Sequence, residues 1–351
     1  MLLCLAVIAA GIGLRQIDRL HFARRRPRTA DAARLIALQR ARANNATPLV
    51  LLAGQWVQIT GWWMLAGHGP WAAAAAAVGV ASGCRHLQEI SHFAVHGVLA
   101  RTARANLLLA EVFAHLPLGL GAVVLRRRRH VRDHHPHATE AGVDPNLAEL
   151  HQAGLQPGAG RGRLALALVH PLTPAGLRAT ASGLAVNVLR SPARAGRTAA
   201  VAAVIGAAYL AGGWAGLVWG LLVPRLLLYP QLAWMSLLAE HTWFDAEHRT
   251  GSPAWVEAGR CLRLYPRNRA LALLAAATWL PYGDLHHYAH SAHPGVRWNY
   301  LPALERHLGQ PHFTPDGLLL GPGSVARRHF AALQALPSPA PTTPARPASA
   351  L

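Results

Sequence analysis

Residues 48–67 form a stretch of 20 residues without a charge, and this stretch limits the folds open to the chain. A helix of about 20 apolar residues is long enough to cross the hydrocarbon core of a bilayer. Residues 68–70 (His-Gly-Pro) favour a turn, and an uncharged, alanine-rich run follows over 71–84. The sequence therefore predicts a transmembrane hairpin with a short outer loop that lacks arginine.

A second hairpin is predicted between Arg197 and His241. Residues 198–210 lead outwards, 211–213 (Ala-Gly-Gly) form the expected turn, and 214–239 return. Arg225 lies in the returning arm, where a charge at mid-membrane costs about 2.5–3.5 kcal/mol on insertion scales. Its long side chain is expected to reach towards the interface, unless the helix ends elsewhere.

Two further apolar runs are predicted to be re-entrant or interfacial. Residues 106–125 have arginines at both ends, and 270–283 are only 14 residues long, shorter than a spanning helix needs. The predicted fold class is thus an all-α integral membrane protein with about four transmembrane helices in two hairpins. Interfacial or re-entrant helices and a cytosolic, histidine-rich cap complete it.

The basic residues support this orientation. The chain has 34 basic residues, all arginine, against 15 acidic ones. Arginines crowd segments 15–45, 85–132 and 161–197 and avoid both predicted outer turns, so these segments are expected on the cytosolic face of a bacterial cell membrane. The lipid bilayer is therefore the expected partner, and nucleic-acid binding is not needed to explain the charge.

The composition predicts four regions. Residues 1–47 combine an apolar segment, 1–14, with an arginine-rich segment, 15–45, that is predicted to lie on the membrane as an amphipathic helix. Residues 48–310 form the membrane domain, 311–334 a C-terminal extension, and 335–351 a disordered tail rich in proline and alanine. The three cysteines show no paired spacing, which argues against a disulfide framework and against a thiolate metal site.

The 21 histidines outnumber the acidic residues and fall into spaced clusters. Histidines four residues apart share one face of a helix and can bind one metal ion. In the second cluster an adjacent histidine points elsewhere, as a bridge between two metals would need. The clusters and the single histidine between them are His92 and His96; His130, His134 and His135; His241; and His286, His287 and His290, with His293 following.

All these clusters fall on the predicted cytosolic side. The paired Glu-x-x-His motifs of ferritin-like sites do not recur, and structural zinc needs only four ligands. Eight or more imidazoles suit two first-row metals, and iron with nitrogen ligands can activate O₂. Nearby carboxylates are candidates to orient the histidines through their second nitrogen: Glu89, Asp133, Asp144 and Asp284.

The motifs HFAVH, HVRDHH with DPN downstream, AEHTW and HHYAHSAHPGVRWNYLPAL resemble the membrane fatty acid desaturase superfamily, which includes acyl-lipid hydroxylases. The likeness covers roughly residues 48–310. It implies an enzyme with two iron ions, O₂ as co-substrate, a ferredoxin- or cytochrome-type electron donor, and an acyl substrate on lipid, CoA or carrier protein. It does not separate desaturation from hydroxylation. The iron ligands it implies are His92, His96, His130, His134, His135, His241, His287 and His290.

One position departs from the family pattern. The third box usually reads HxxHH, and Ser291 stands where its last histidine is expected. His286 or His293 is the expected replacement; a water ligand or an altered centre are the alternatives. Two other functions stay open. A non-catalytic metal-binding protein would need a polar path through the bilayer, and a zinc hydrolase would act without O₂ or reductant.

Overall fold

The computed structural model describes residues 1–23, 27, 29, 31–264, 268–315, 318–320 and 323–336, and these parts of the chain are helical with no strand. The all-α class is confirmed. The described residues end at 336, so the predicted tail lies outside them from residue 337 onwards. The α-helices are α1 Leu2–Ala23, α2 Ala32–Arg42, α3 Ala46–Leu65, α4 Pro70–Val95, α5 Ala103–Ala110, α6 Val123–Arg127, α7 Pro145–Gln152, α8 Arg161–Leu168, α9 Pro174–Leu189, α10 Arg194–Leu217, α11 Tyr229–Glu240, α12 Pro253–Arg260, α13 Arg269–Ala277, α14 His287–Ala292, α15 Leu301–Glu305 and α16 Val325–Ala335.

The first predicted hairpin is formed by α3 and α4. Its turn contains Gly69 at φ 112°, a conformation that favours glycine. The helix α4 does not end near Cys84, where the apolar run ends, but continues to Val95. The first histidine box therefore begins on the same helix that forms the hairpin.

The N-terminal region differs from the prediction. Instead of one surface helix over 15–45, α1 runs through both the apolar segment and its arginine-rich neighbour, and a separate α2 begins at Ala32. The helix α1 packs along α3 at glycine contacts, where a Cβ on Gly11 would lie 2.7 Å from the carbonyl oxygen of Gly54. One face of α1, including Asp18 and Phe22, is buried against the fold, and most of the remaining residues of α1 are exposed.

A buried ion pair attaches α1 to the C-terminal part of the chain. The guanidinium of Arg297 donates to both carboxylate oxygens of Asp18 at 2.8 and 3.0 Å, and both side chains are 1% exposed. The same guanidinium lies 3.7 Å from the ring centroid of Phe22 and 3.6 Å from that of Trp298. The charge of Asp18 is thus fully balanced inside the fold.

Changing Asp18 to asparagine should therefore destabilise the protein by about 3–5 kcal/mol, because Arg297 keeps a buried charge without its partner. The measurement is thermal unfolding in mild detergent. The double variant Asp18→Leu with Arg297→Met should lose less, since both charges are removed together. A single variant as stable as the parent would contradict this account.

The second hairpin reverses where the sequence predicts. Gly213 adopts φ 58° and ψ −150° within α10, and a Cβ on Gly216 would lie 2.6 Å from the carbonyl oxygen of Ala208. Residues eight apart come this close only when the chain turns back. In the returning arm, Arg225 donates to the carbonyl of Leu118 at 2.7 Å, so its charge has a polar partner within the protein.

Among the described residues, one helical stretch is long and apolar enough to cross a membrane, Arg194–Glu240, which contains both arms of the second hairpin. The helix α3 carries Gln55 and Gln58 among its hydrophobic residues, and the apolar part of α4 ends at Arg85. The count of four spans is therefore not confirmed.

The run 106–125 turns back on itself. It begins in α5, continues through a π-helical turn over Glu111–His115, and reverses around Gly119, which has φ 62°, before α6. The run 270–283 forms the short α13 and a turn ending at Gly283, with φ 88°. Neither run qualifies as a membrane-crossing helix.

Candidate metal centre

Five helical elements, or the residues at their ends, bring histidines together at one place. They are the C-terminal end of α4, the helical turns Arg128–His134 and His135–His137, the residue that follows α11, and α14. The structure brings together the histidines that the family resemblance implies as ligands. They form two adjoining groups, which we call the five-histidine group (His92, His96, His130, His135 and His290) and the three-histidine group (His134, His241 and His287).

In the five-histidine group, one ring nitrogen of each residue lies within 4.8 Å of all the others. The Nε2 atom of His135 is 3.2 Å from Nε2 of His96 and 3.1 Å from Nε2 of His130. Nε2 of His92 and both ring nitrogens of His290 are buried without a hydrogen-bond partner. Buried polar atoms without partners are costly, so this convergence fits a metal ion.

The three-histidine group adjoins it. Nε2 of His241 lies 3.3 Å from Nε2 of His287, and the rings of His134 and His241 are 5.3 Å apart between centroids. Nε2 of His134 is buried without a partner, and the hydroxyl of Ser291 lies 3.3 Å from Nε2 of His287. The adjacent residues His134 and His135 thus point into different groups.

Burial sets the protonation of these imidazoles. It lowers the pKa values of His130, His135 and His290 well below the ordinary value, and the neighbouring histidines lower them further. Burial acts in the same direction on His287, but the carboxylates of Asp284 and Glu240 outweigh it and raise its pKa. Burial therefore favours the neutral form of His130, His135 and His290, which is the form that binds a metal.

Carboxylates hold the second nitrogen of several of these rings. Nδ1 of His92 donates to Glu89 at 2.7 Å, and Nδ1 of His134 donates to Asp144 at 3.0 Å. Each bond places the proton on Nδ1 and leaves the lone pair of Nε2 for a metal. Asp284 lies 3.8 Å from Nδ1 of His287.

The fourth predicted carboxylate, Asp133, differs from the other three in its contacts. Its side chain is 44% exposed, and its ion-pair contact is with Arg132 at 3.9 Å. Within the described residues, no hydrogen bond or ion pair joins Asp133 to a histidine of either group, and its role in orienting a histidine stays a prediction.

The structure does not bring the two expected replacements for the histidine missing at Ser291 into either group. His286 is bonded through Nδ1 to the carboxylate of Glu305, and His293 is only half-buried. Neither belongs to a group that could hold a metal.

Sequence reasoning missed the residue that connects the two groups. The buried guanidinium of Arg85 donates to Glu89 at 2.9 Å and to Asp284 at 2.6 Å, and also to the hydroxyl of Ser236 at 2.7 Å. Glu89 contacts a histidine of the first group and Asp284 one of the second. The sequence does contain a signal for the contact between Arg85 and Glu89. They are four residues apart on α4, which places both on one helix face.

A cavity of about 1130 Å³ opens beside the centre. His92 and His130 line it at the metal groups, and Glu240 lies on the same wall. Further out its walls come from α9 and α11, with Leu184 and Trp234 among the lining residues. A molecule in this cavity would reach the five-histidine group directly.

The contact between Asp144 and His134 gives a test. Changing Asp144 to asparagine should weaken metal binding by about 10- to 100-fold, because His134 loses the partner that fixes its tautomer and orientation. Asp133→Asn removes a carboxylate from the neighbourhood of the same histidine without contacting the ring and should leave affinity unchanged. Competition with a chelator measures both variants; equal affinities in all three proteins would refute the role of Asp144.

Comparison with known proteins identifies the family to which the chain is similar. The family model described as fatty acid desaturase matches residues 69–318, a range that contains every histidine of both groups. A search of curated proteins finds no match for the chain.

Proposed function

Because the chain belongs to the fatty acid desaturase family, we propose that it is a membrane-bound, O₂-dependent oxidoreductase with two iron ions that desaturates or hydroxylates an acyl chain or a similar lipid-like substrate. The observation that carries this proposal is the pair of adjoining histidine groups with buried, unpartnered nitrogens.

In this proposal each histidine group holds one ion. When bound, two irons supplied with electrons and O₂ provide the oxidising power needed to remove hydrogen from an unactivated C–H bond. The chain contributes neutral imidazoles, and Glu89 and Asp144 keep the proton of His92 and His134 on Nδ1. The hydrogen bonds to these carboxylates also fix the ring orientations before any ion binds.

Exposed apolar side chains support a membrane location. Trp71 is 88% exposed, Leu210 86% and Trp214 71%, and all three lie near the tips of the two hairpins. The tips are neighbours, since a Cβ on Gly67 would lie 3.9 Å from the carbonyl oxygen of Gly212. Large exposed apolar surface with tryptophans at its end is typical of a segment surrounded by lipid. We infer that the arginine-rich end with the histidine groups faces the cytoplasm.

The cavity supports a lipid-like substrate. Its volume of about 1130 Å³ is at the upper end for small-molecule sites, and it extends from His92 and His130 between α9 and α11. An acyl chain placed along it would bring one of its carbons to the five-histidine group.

The exposed arginines near the second box suggest where the electron donor binds. Arg127, Arg128 and Arg132 are exposed on the same helical segment as His130 and His134. An acidic ferredoxin- or cytochrome-type protein would be attracted to this surface, and the short distance to the histidines would suit electron transfer.

The test is an assay of the purified, iron-loaded protein with reductant, O₂ and a panel of lipids, acyl-CoA and acyl carrier proteins. Mass spectrometry should find a product that has lost two hydrogens or gained one oxygen, and omission of O₂ or reductant should abolish it. Product formation without O₂ would support the hydrolase alternative. A protein that binds metal but oxidises no substrate would support the non-catalytic one.

A further inference from the structure

The two histidine groups are unequal. One has five imidazoles and the other three, and Ser291 occupies the position next to the three-histidine group. Its hydroxyl lies 3.3 Å from Nε2 of His287 and is neutral, so it is a weak ligand compared with an imidazole. An ion bound by three imidazoles alone would lack a fourth protein ligand.

We propose that the carboxylate of Glu240 is this fourth ligand. The inference rests on the proposed function, because it assumes that the three-histidine group holds an ion. In this proposal an anionic oxygen of Glu240, the last residue of α11, takes the place of the imidazole that is absent at Ser291.

Glu240 has the required position. A carboxylate oxygen lies within 4.8 Å of a ring nitrogen of His134 and of one of His241, and the same residue is grouped within that distance with His287 and Asp284. Glu240 is thus close to every member of the three-histidine group. It directly precedes His241, so one helix end supplies both ligands.

Other nearby ligand atoms are already committed. Asp284 accepts from Arg85 and Ser236 through Oδ2, and its Oδ1 lies 3.8 Å from Nδ1 of His287, whereas the nitrogen that faces His241 is Nε2. Glu257 has both oxygens on the guanidinium of Arg260 and is not available to an ion without loss of that pair.

The thiol of Cys261 is on the wrong side of the histidine ring. It lies 3.4 Å from Nδ1 of His241, whereas the nitrogen that faces His287 is Nε2. The thiol therefore cannot share an ion with that face. Within the described part of the chain, the half-buried carboxylate of Glu240 has neither a hydrogen bond nor an ion pair and borders the cavity.

The consequence is two chemically different ions. The five-histidine group offers only neutral ligands, whereas the three-histidine group with Glu240 offers one negative charge. An anionic oxygen ligand favours a harder, more highly charged ion than imidazole does. The two ions should therefore differ in their spectra.

The experiment compares the parent with Glu240→Gln, Ser291→His and the double variant, each as the full chain expressed with iron. Glu149→Gln is the matched control, because that carboxylate lines the same cavity but contacts neither group. Metal content after chelator dialysis and Mössbauer spectra are measured, and substrate oxidation is assayed separately. We expect two distinct iron signals in the parent and the control, and loss of one signal in Glu240→Gln.

The double variant distinguishes the loss of a metal ligand from a general structural effect of Glu240→Gln. A histidine at position 291 should restore the second ion in the Glu240→Gln protein and make the two signals more alike. The inference is overturned if Glu240→Gln retains both ions with the parental spectrum, if position 291 fails to restore the lost ion, or if the parent binds fewer than two ions. An intact metal pattern without O₂-dependent product would defeat the proposed function and leave this inference standing.

Discussion

The variants His134→Ala and His135→Ala should each lose a different metal ion, although the two positions are adjacent in the chain. The double variant should lose both. The reason is that His134 belongs to the three-histidine group and His135 to the five-histidine group. Adjacent residues in a helical turn point about 100° apart, which lets one short segment serve two ions.

The expected loss is large. Removing a partner of a metal ligand costs about 10- to 100-fold in affinity, and removing the ligand itself should cost more than the upper end of that range. The loss should be more complete for His134→Ala, because only two imidazoles then remain in its group. In the five-histidine group four would remain after His135→Ala.

Elemental analysis of chelator-treated protein, with spectra that distinguish the two ions, measures the effect. His137→Ala is the matched control. His137 lies in the same segment, but its ring bonds to Glu140 at 2.9 Å and its side chain is 44% exposed. If both single variants lost the same ion, the division into two groups would be wrong.

The variant Arg85→Met should weaken both ions at once and destabilise the fold by about 3–5 kcal/mol, because it leaves Glu89 and Asp284 as buried carboxylates without their cation. Each of these carboxylates contacts a histidine of a different group. A change in one residue that contacts no candidate ligand should therefore act on both metal positions.

Thermal unfolding and metal content are the two measurements for Arg85. Arg85→Lys should recover only part of the loss, since an ammonium group cannot donate to both carboxylates with the fork geometry of a guanidinium. Arg101→Met, a change at an exposed arginine, should be neutral in both measurements. Normal metal content in a destabilised Arg85→Met protein would show that the network supports the fold without orienting the histidines.

Sequence patterns predicted structural features where the interacting residues are close in sequence. The pair His92 and His96 lies at the end of one helix and points to one group because four residues make about one helical turn. The reversal at Gly213 was visible as a pair of glycines between two apolar runs. Asp144, a short distance after the second box, lies 3.0 Å from Nδ1 of His134.

Prediction failed where the partner is remote. Arg85 and Asp284 are separated by 199 positions, and no spacing rule connects them. The same is true of the contact between Nδ1 of His286 and the carboxylate of Glu305. The buried face of α1 was not predicted, because an arginine-rich segment is typical of a helix on a surface. Its burial becomes evident only from the contact between Asp18 and Arg297.

That ion pair also bears on how the chain is made. Asp18 is synthesised early, and its partner Arg297 follows 279 positions later. At a synthesis rate of roughly 5–20 residues per second, Arg297 is synthesised on the order of 14–56 s after Asp18. During that interval α1 cannot be buried without an uncompensated charge. Insertion of the first hairpin and completion of the N-terminal helix are therefore separate events, and a ribosome stalled before Arg297 should hold a nascent chain whose first helix is still open to proteases.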